Sequence, residues 1–429
     1  MDTIFALSTA QGKAGVSVIR VSGPLAFDSV KALCGDVPVR RKASLRELKT
    51  ADGDRIDEAL VLTFDHGQSF TGEMSVEFQC HGSVAVVSKI LETLGKLEGC
   101  RQADAGEFTR RALENNRLDL SQIEGLADLI EAETEAQRRQ ALRVFSGELG
   151  GKASEWRRHL IRAAALIEAT IDFADEDVPV DVAPEVSKLI CCVLDGLQEE
   201  IEGYSSAERI RTGFEVAIVG PPNTGKSTLL NYVAGRDAAI TSNHAGTTRD
   251  VIEVKMDLGG LPVTLLDTAG LREAVDEVEA IGIDRARSRA ESADLRVILV
   301  EEGKAPELVP RDDDIICLAK ADLSSETGLR GVSGKTGLGV LELVDGVTEA
   351  LKIRASESGL AIRERHKSAM ERGSGSLRLA LRRLAQGSEY SEICAEEIRA
   401  AVRALDSLIG RVDIENVLDE IFASFCLGK

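Results

Sequence analysis

Apolar positions along residues 1 to about 117 follow two rhythms. Val16–Val21 (VSVIRV), Ile56–Phe64 and Ser75–Cys80 are short runs rich in Val, Ile and Phe, closed by Gly or Pro, and they predict β-strands. Val84–Leu97 instead repeats its apolar residues at helical spacing. Together they predict a compact α+β domain over 1–117.

The texture changes at Leu118. Ser121-x-x-Glu124 has the form of a capping box, with Ile123, Leu126, Ala127 and Ile130 following at helical spacing. Helical periodicity continues to about Arg209, with breaks near Gly150 and Pro179–Pro184, and returns from about Ser356 to Phe425 without a strand signal. Between these blocks, 211–354 alternates helices with short apolar strands: Glu215–Val219, Val263–Leu266, Val297–Val300 and Ile315–Leu318. That alternation predicts a mostly parallel, doubly wound sheet. The expected chain is therefore multidomain: an α+β domain over 1–117, an all-α helical domain from 118–210 plus 355–429, and an α/β domain over 211–354 inserted in it.

Composition narrows the function. Lys and Arg number 52 against 72 Asp and Glu, a net charge of −20 over 429 residues. A chain this acidic is not a passive nucleic-acid binder, because a phosphate backbone needs neutralising cations. Aromatic residues are only 3%, so the cores must rest on Leu, Ile, Val and Ala. The eight cysteines (34, 80, 100, 191, 192, 317, 394 and 426) form no C-x-x-C pair, which fits reduced, mostly buried thiols in the cytoplasm. The N-terminus lacks the basic stretch of a signal peptide, and no apolar run approaches the ~20 residues that span a bilayer. Cys426 stands where a prenylation box would place it, but Gly428 and Lys429 do not suit that motif. A soluble cytoplasmic protein with no membrane contact is expected.

Gly220-Pro221-Pro222-Asn223-Thr224-Gly225-Lys226-Ser227 matches G-x-x-x-x-G-K-[ST] between a strand and the helical run from Thr228. Glycines let backbone N–H groups wrap a phosphate at a helix N-terminus. Lys226 supplies a point charge and the Ser227 hydroxyl an Mg²⁺ ligand. Asp267-Thr268-Ala269-Gly270 ends another strand, where an acid holds Mg²⁺ through water and the Gly270 N–H meets a γ-phosphate. Gly246-Thr247-Thr248-Arg249-Asp250 lies between, and Thr248 is the expected second Mg²⁺ ligand.

Ala319-Lys320-Ala321-Asp322 follows a strand at the place where guanine-reading proteins carry Asn-Lys-x-Asp. Asp322 accepts from guanine N1–H and the 2-amino group, which adenine lacks. Ser333-Gly334-Lys335 resembles the second guanine loop, usually Ser-Ala-Lys. Ala319 makes none of the hydrogen bonds of Asn, a loss of ~1 kcal/mol, so Ala319→Asn is expected to raise GTP affinity. Leu271, where many GTPases place a water-orienting Gln, is apolar, leaving Glu273, Asp276, Glu277 and Glu279 as candidates. Asn223, with backbone carbonyls, suits a monovalent cation in place of an arginine finger.

These residues resemble the tRNA-modification GTPases called MnmE or TrmE. The resemblance spans essentially the whole chain: Asp2-Thr3-Ile4, Arg20-Val21-Ser22-Gly23, Phe70-Thr71-Gly72-Glu73, Gly106-Glu107-Phe108-Thr109, Leu118-Asp119-Leu120-Ser121-Gln122, the GTPase motifs with Asp267–Glu279, and Cys426-Leu427-Gly428-Lys429. It implies K⁺-stimulated GTP hydrolysis, with activation by G-domain dimerisation. It further implies action with the flavoprotein MnmG in a heterotetramer to add an aminomethyl or carboxymethylaminomethyl group to carbon 5 of the wobble uridine of certain tRNAs. The one-carbon unit would come from 5-formyl- or methylene-tetrahydrofolate bound by the N-terminal domain, which also mediates homodimerisation. By the same resemblance GTP meets Asn223 to Thr228, Ser242, Thr247, Thr248, Asp267 to Gly270, Lys320, Asp322 and Ser333 to Lys335. Mg²⁺ takes Ser227 and Thr248, and K⁺ takes Asn223, Ser242, His244 and Thr247. Glu279 orients the water, with Lys226 as the second catalytic group, and folate takes Arg20, Glu77, Arg117 and Lys429. Two other readings compete: a degenerate nucleotide-binding scaffold, motivated by Ala319, and a ribosome-assembly GTPase, which usually appends a basic RNA-binding domain, whereas nothing C-terminal here is strongly basic.

Overall fold

A computed structural model of the chain describes residues 2–172, 181–236, 253–267, 288–289, 291–306, 309–324, 329–356, 358–411 and 428. The chain divides into two compact units, Met1–Ala127 with Asp406–Lys429, and Asp128–Leu405.

The first unit is built on six strands, β1 (Thr3–Leu7), β2 (Ala14–Ser22), β3 (Ser44–Lys49), β4 (Arg55–Phe64), β5 (Ser75–Gly82) and β6 (Cys100–Gln102), in the order β3-β4-β5-β2-β1-β6. Every pairing is antiparallel except β1 with β6. Alternation along β2 and β5 separates two faces. Ile19, Val21, Val76 and Phe78 point into a core shared with Val30 and Leu33 of α1 (Ala26–Cys34) and Ile90 and Leu94 of α2 (Val84–Gly95). Arg20, Ser22 and Glu77 take the opposite face, where Ile4 and Ala6 meet Phe108 of α3 (Glu107–Glu114). The α+β expectation holds for this unit. Three strands gave no sequence signal: β6 has three residues, β1 five, and edge strand β3 (SLRELK) is mostly charged or exposed. The Ser8 hydroxyl donates to the Gly428 carbonyl at 3.0 Å, so residue 428 seals the end of β1. Gly428 has φ +94°, and a Cβ there would lie 2.7 Å from the Leu7 carbonyl carbon.

Helix α4 (Leu120–Glu131) begins earlier than its expected cap. Asp119 Oδ1 accepts from the Gln122 N–H at 2.9 Å while Gln122 Oε1 accepts from the Asp119 N–H at 3.1 Å. The reciprocal box is therefore Asp119-x-x-Gln122, and Ser121 lies buried within the first turn. The break placed near Gly150 falls at Ser146–Gly147, where Gly147 turns with φ +90° between α5 (Glu135–Phe145) and α6 (Glu148–Asp172).

The second unit joins helices to a second sheet. Helices α5, α6, α7 (Ala183–Glu202) and α8 (Tyr204–Thr212) lead into β7 (Phe214–Val219), α9 (Lys226–Arg236), β8 (Glu253–Leu258), β9 (Leu261–Asp267), β10 (Leu295–Val300), β11 (Ile315–Ala319), β12 (Arg330–Val332) and α10 (Val340–Ala355). The chain then returns to helices α11 (Glu364–Leu384) and α12 (Ser391–Leu408). Glu200 fixes that return: its buried carboxylate accepts from Leu360 N–H at 2.6 Å and from Lys152 Nζ at 2.6 Å. The sheet runs β12-β11-β10-β7-β9-β8 and is parallel except for β8 on β9. It is the doubly wound arrangement expected, with β8 and β12 added. The chain leaves β7 for one side of the sheet and later crosses to β10 on the other. A ligand crevice belongs at such a switch, beyond the strands' C-terminal ends.

No helix among the described residues is long and apolar enough to cross a membrane. Cys80, Cys317 and Cys394 are buried as expected, but Cys191 and Cys192 are exposed. Helix α7 buries Val186, Ile190, Val193 and Leu197, which turns the two thiols outward.

Candidate functional site

The loop after β7 is shaped by steric exclusion. Gly220 has φ +152°, and a Cβ there would sit 2.5 Å from the Leu299 carbonyl oxygen of the neighbouring strand. Gly225 has open space around it but needs its glycine for a φ of +93°. Asn223 takes the left-handed region too, at φ +63°. The Thr224 hydroxyl donates to the Pro221 carbonyl at 2.8 Å. Lys226 is buried and folds back over the loop, donating at 2.8 Å to the carbonyl oxygens of both Gly220 and Pro221. Leu229 N–H donates to Gly225 O at 2.8 Å and starts the helical ladder of α9, whose first turn holds Ser227 and Thr228.

Asp267 is buried at the C-terminal end of β9, paired in register with Ile218 of β7. The hydroxyl of Ser227 and the carboxylate of Asp267 are hard oxygen donors of the kind Mg²⁺ takes. Ser242, His244, Thr247, Thr248, Thr268, Ala269, Gly270 and all four candidate water-orienting acids, Glu279 among them, lie outside the described residues.

A cavity of about 240 Å³ adjoins this loop, lined by Thr224, Leu299, Ala319, Asp322, Ser333 and Lys335 among others. Ala319 is buried at the end of β11, opposite Val332 of β12. Lys320 turns the chain with φ +52°, Leu323 N–H closes that turn on Lys320 O at 2.8 Å, and Ala321 N–H ties it to Val332 O at 3.1 Å. Ser333 is buried, its hydroxyl accepting from Thr336 N–H at 3.3 Å. The structure thus brings Thr224, Gly225, Thr228, Lys320, Asp322, Ser333, Gly334 and Lys335 around one space.

A second candidate lies in the first unit. Arg20 Nε and Nη2 reach Glu77 Oε1 at 3.1 and 2.9 Å. The Arg20 guanidinium also stands 5.2 Å from the Phe70 ring and 5.7 Å from the Phe108 ring, the distances of cation–π contacts. Phe70 belongs to a turn whose Gly72 faces the stem of Arg117: a Cβ at 72 would lie 3.1 Å from Arg117 Cγ. Behind it, Ser22 Oγ donates to Glu73 Oε2 at 2.7 Å, and Arg111 Nη1 is 3.2 Å from both Glu73 oxygens. Arg111 also reaches Asp2 at 2.8 Å and Glu107 at 3.1 Å. Burial alone would raise the Glu107 carboxyl, but bonds from Arg101, the Asp104 N–H and Arg111 hold it below the usual range. In the sequence Phe70 and Phe108 stand inside motifs with no role of their own, and nothing there marks Arg111. Their common face becomes visible only once the β2–β5 register is known. Lys429 and Cys426 lie outside the described residues.

Comparison with known proteins covers both units. The family model "GTP-binding protein TrmE N-terminus" matches residues 3–117, and the "MnmE helical domain" model matches 120–426. The chain is 59% identical over 431 residues to the tRNA modification GTPase MnmE of Roseobacter denitrificans, over the full length of both. It is 59% identical over 430 residues to the same-named protein of Cereibacter sphaeroides, and 57% over 430 residues to that of Dinoroseobacter shibae, again covering 100% of each.

Proposed function

The chain belongs to the MnmE family of tRNA modification GTPases, and on that premise we propose that it is a K⁺-stimulated GTP hydrolase working with MnmG on carbon 5 of the wobble uridine. GTP hydrolysis and a role in tRNA modification go with the family. K⁺ stimulation, the MnmG heterotetramer, homodimerisation, the folate donor and a cytoplasmic location are our reading.

The observation that carries it is the loop Gly220–Lys226 at the switch of the second sheet, with Asp267 one strand away. On phosphate binding Lys226 would exchange these two loop carbonyls for phosphate oxygens, trading neutral acceptors for charged ones. Ser227 and Asp267, with Thr248, would hold Mg²⁺, which neutralises charge on the β- and γ-phosphates when bound. Asn223, Ser242, His244 and Thr247 would hold K⁺, and Glu279 would orient the attacking water. Asp322, with the backbone around Lys320 and Ser333–Lys335, would read guanine. Arg20, Glu77, Arg117 and Lys429 would hold 5-formyl- or methylene-tetrahydrofolate. The proposed domains are 1–117, 118–210 with 355–429, and 211–354.

Steady-state GTP hydrolysis by the purified chain in KCl and in NaCl at equal ionic strength tests this. Strong stimulation by K⁺ is expected. Equal slow turnover in both salts, unchanged when MnmG is added, would overturn the K⁺ reading and bring the degenerate scaffold forward.

A further inference from the structure

The loop 333–339 is laid on its surroundings more closely than side chains permit. A Cβ on Gly334 would fall 2.6 Å from Leu229 Cα and 2.7 Å from the Thr228 carbonyl carbon, in the first turn of α9. These are backbone atoms of a helix, so no side-chain rotation relieves the clash. Further along, a Cβ on Gly337 would overlap the Tyr232 hydroxyl of α9, and one on Gly339 would overlap the Gly331 carbonyl of β12. Gly334 and Gly337 thus press the loop against the helix that begins in the phosphate loop, while Gly339 seats its end on β12. Ser333 N–H to Leu338 O at 2.9 Å and Gly337 N–H to Ser333 O at 2.9 Å fix its shape.

Ala319 lines the same cavity from the C-terminal end of the neighbouring strand β11. In guanine-reading proteins with Asn-Lys-x-Asp and Ser-Ala-Lys, a carboxamide stands at the first position and a methyl at the second. This chain is smaller at both.

We propose that Ala319 and Gly334 are an interdependent pair that determines how the base is held. The loop's backbone, seated on α9 through Gly334, replaces the tether that an Asn at 319 would supply. The purine is then read by Asp322 and by backbone donors of the loop, and position 319 offers no carboxamide to N7, an acceptor that guanine offers. The inference rests on the guanine reading of this cavity. It alters one expectation from sequence: Ala319→Asn gives little on its own, because the seated loop already supplies the hold that the carboxamide would add, and helps only when Gly334→Ala unseats that loop.

The test is a double-mutant cycle on GDP dissociation constants for wild type, A319N, G334A and A319N/G334A in the full chain. G334A is expected to weaken GDP about ten-fold, A319N to change it less than about three-fold, and the double variant to return within about three-fold of wild type. A double variant whose change is the product of the two single changes overturns the proposal. A second measurement does not depend on the folding of any variant. Wild type should bind 7-deaza-GDP, which lacks N7, within about two-fold of GDP, and a loss above about ten-fold would overturn the proposal. A wild-type chain that bound ATP as tightly as GTP would remove the guanine reading itself, an outcome distinct from additivity in the cycle.

Discussion

Arg20 on β2 and Glu77 on β5 are cross-strand partners, with both Nε and Nη2 of the arginine on a single carboxylate oxygen. Among the described residues no other hydrogen bond engages this pair, and on the proposed folate reading Glu77 Oε2 and Arg20 Nη1 would meet the ligand. Arg20→Ala is expected to remove measurable 5-formyl-tetrahydrofolate binding while costing only about 1 kcal/mol of stability, the scale of one hydrogen-bonded pair. Isothermal titration alongside thermal unfolding checks both. Undiminished binding with a lowered melting point would make the pair purely structural.

Lys226→Ala should weaken GTP by about 100-fold or more, since a charged hydrogen bond to phosphate is worth up to about 3 kcal/mol. Lys226→Arg should not rescue it. The ammonium fits between the Gly220 and Pro221 carbonyls, a space a planar guanidinium does not match. Fluorescent-nucleotide titration of the three proteins decides the point.

Glu279→Ala should leave nucleotide affinity unchanged and lower the turnover rate in KCl by roughly 100-fold or more, the range for a positioned acid or base. Single-turnover hydrolysis at saturating protein separates the two effects. Comparable rates would move the role to another of the nearby acids.

The buried pair Arg296–Asp314 makes stability depend on pH. Arg296 donates to Asp314 at 2.9 and 2.5 Å, and Arg311 N–H donates at 2.7 Å. Burial alone would raise the Asp314 carboxyl, but these bonds hold it below its reference value of 3.8. A carboxyl depressed in the folded state stabilises above the unfolded value and loses that contribution as pH falls through the folded one. Asp314→Ala, which strands a buried guanidinium, should destabilise the second unit by roughly 3–5 kcal/mol at pH 7. The gap to wild type should narrow below about pH 4. Hydrogen exchange of peptides covering β10 and β11, measured across pH, follows it directly.

What the chain disclosed by its order alone was whatever depends on a local backbone requirement. The phosphate loop was legible because Gly220 and Gly225 need conformations or clearances other residues lack. Asp267 was legible because it ends an apolar strand, and Asp322 because it stands three residues past the end of one. Two cap motifs interleave at 119–124, and only the full burial of Leu120 and Ile123 selects Asp119 over Ser121. Edge strand β3 escaped notice because it is paired on one side only and keeps its charges. The closeness of Gly334 to Leu229 lies beyond sequence reading, since those residues are neighbours through space and not along the chain.

The bond between Ser8 and Gly428 bears on the order in which the protein matures. Its partners are 420 residues apart, and at about 5–20 residues per second a ribosome needs roughly 20–80 s to produce the second after the first. The Leu120 N–H waits similarly for the Ile409 carbonyl. Residues 128–405 can emerge and fold in the meantime, while the unit that was begun first is finished only when Gly428 has left the exit tunnel. A nascent chain stalled before that point would carry an assembled GTPase sheet beside an N-terminal unit whose first strand is still unsealed.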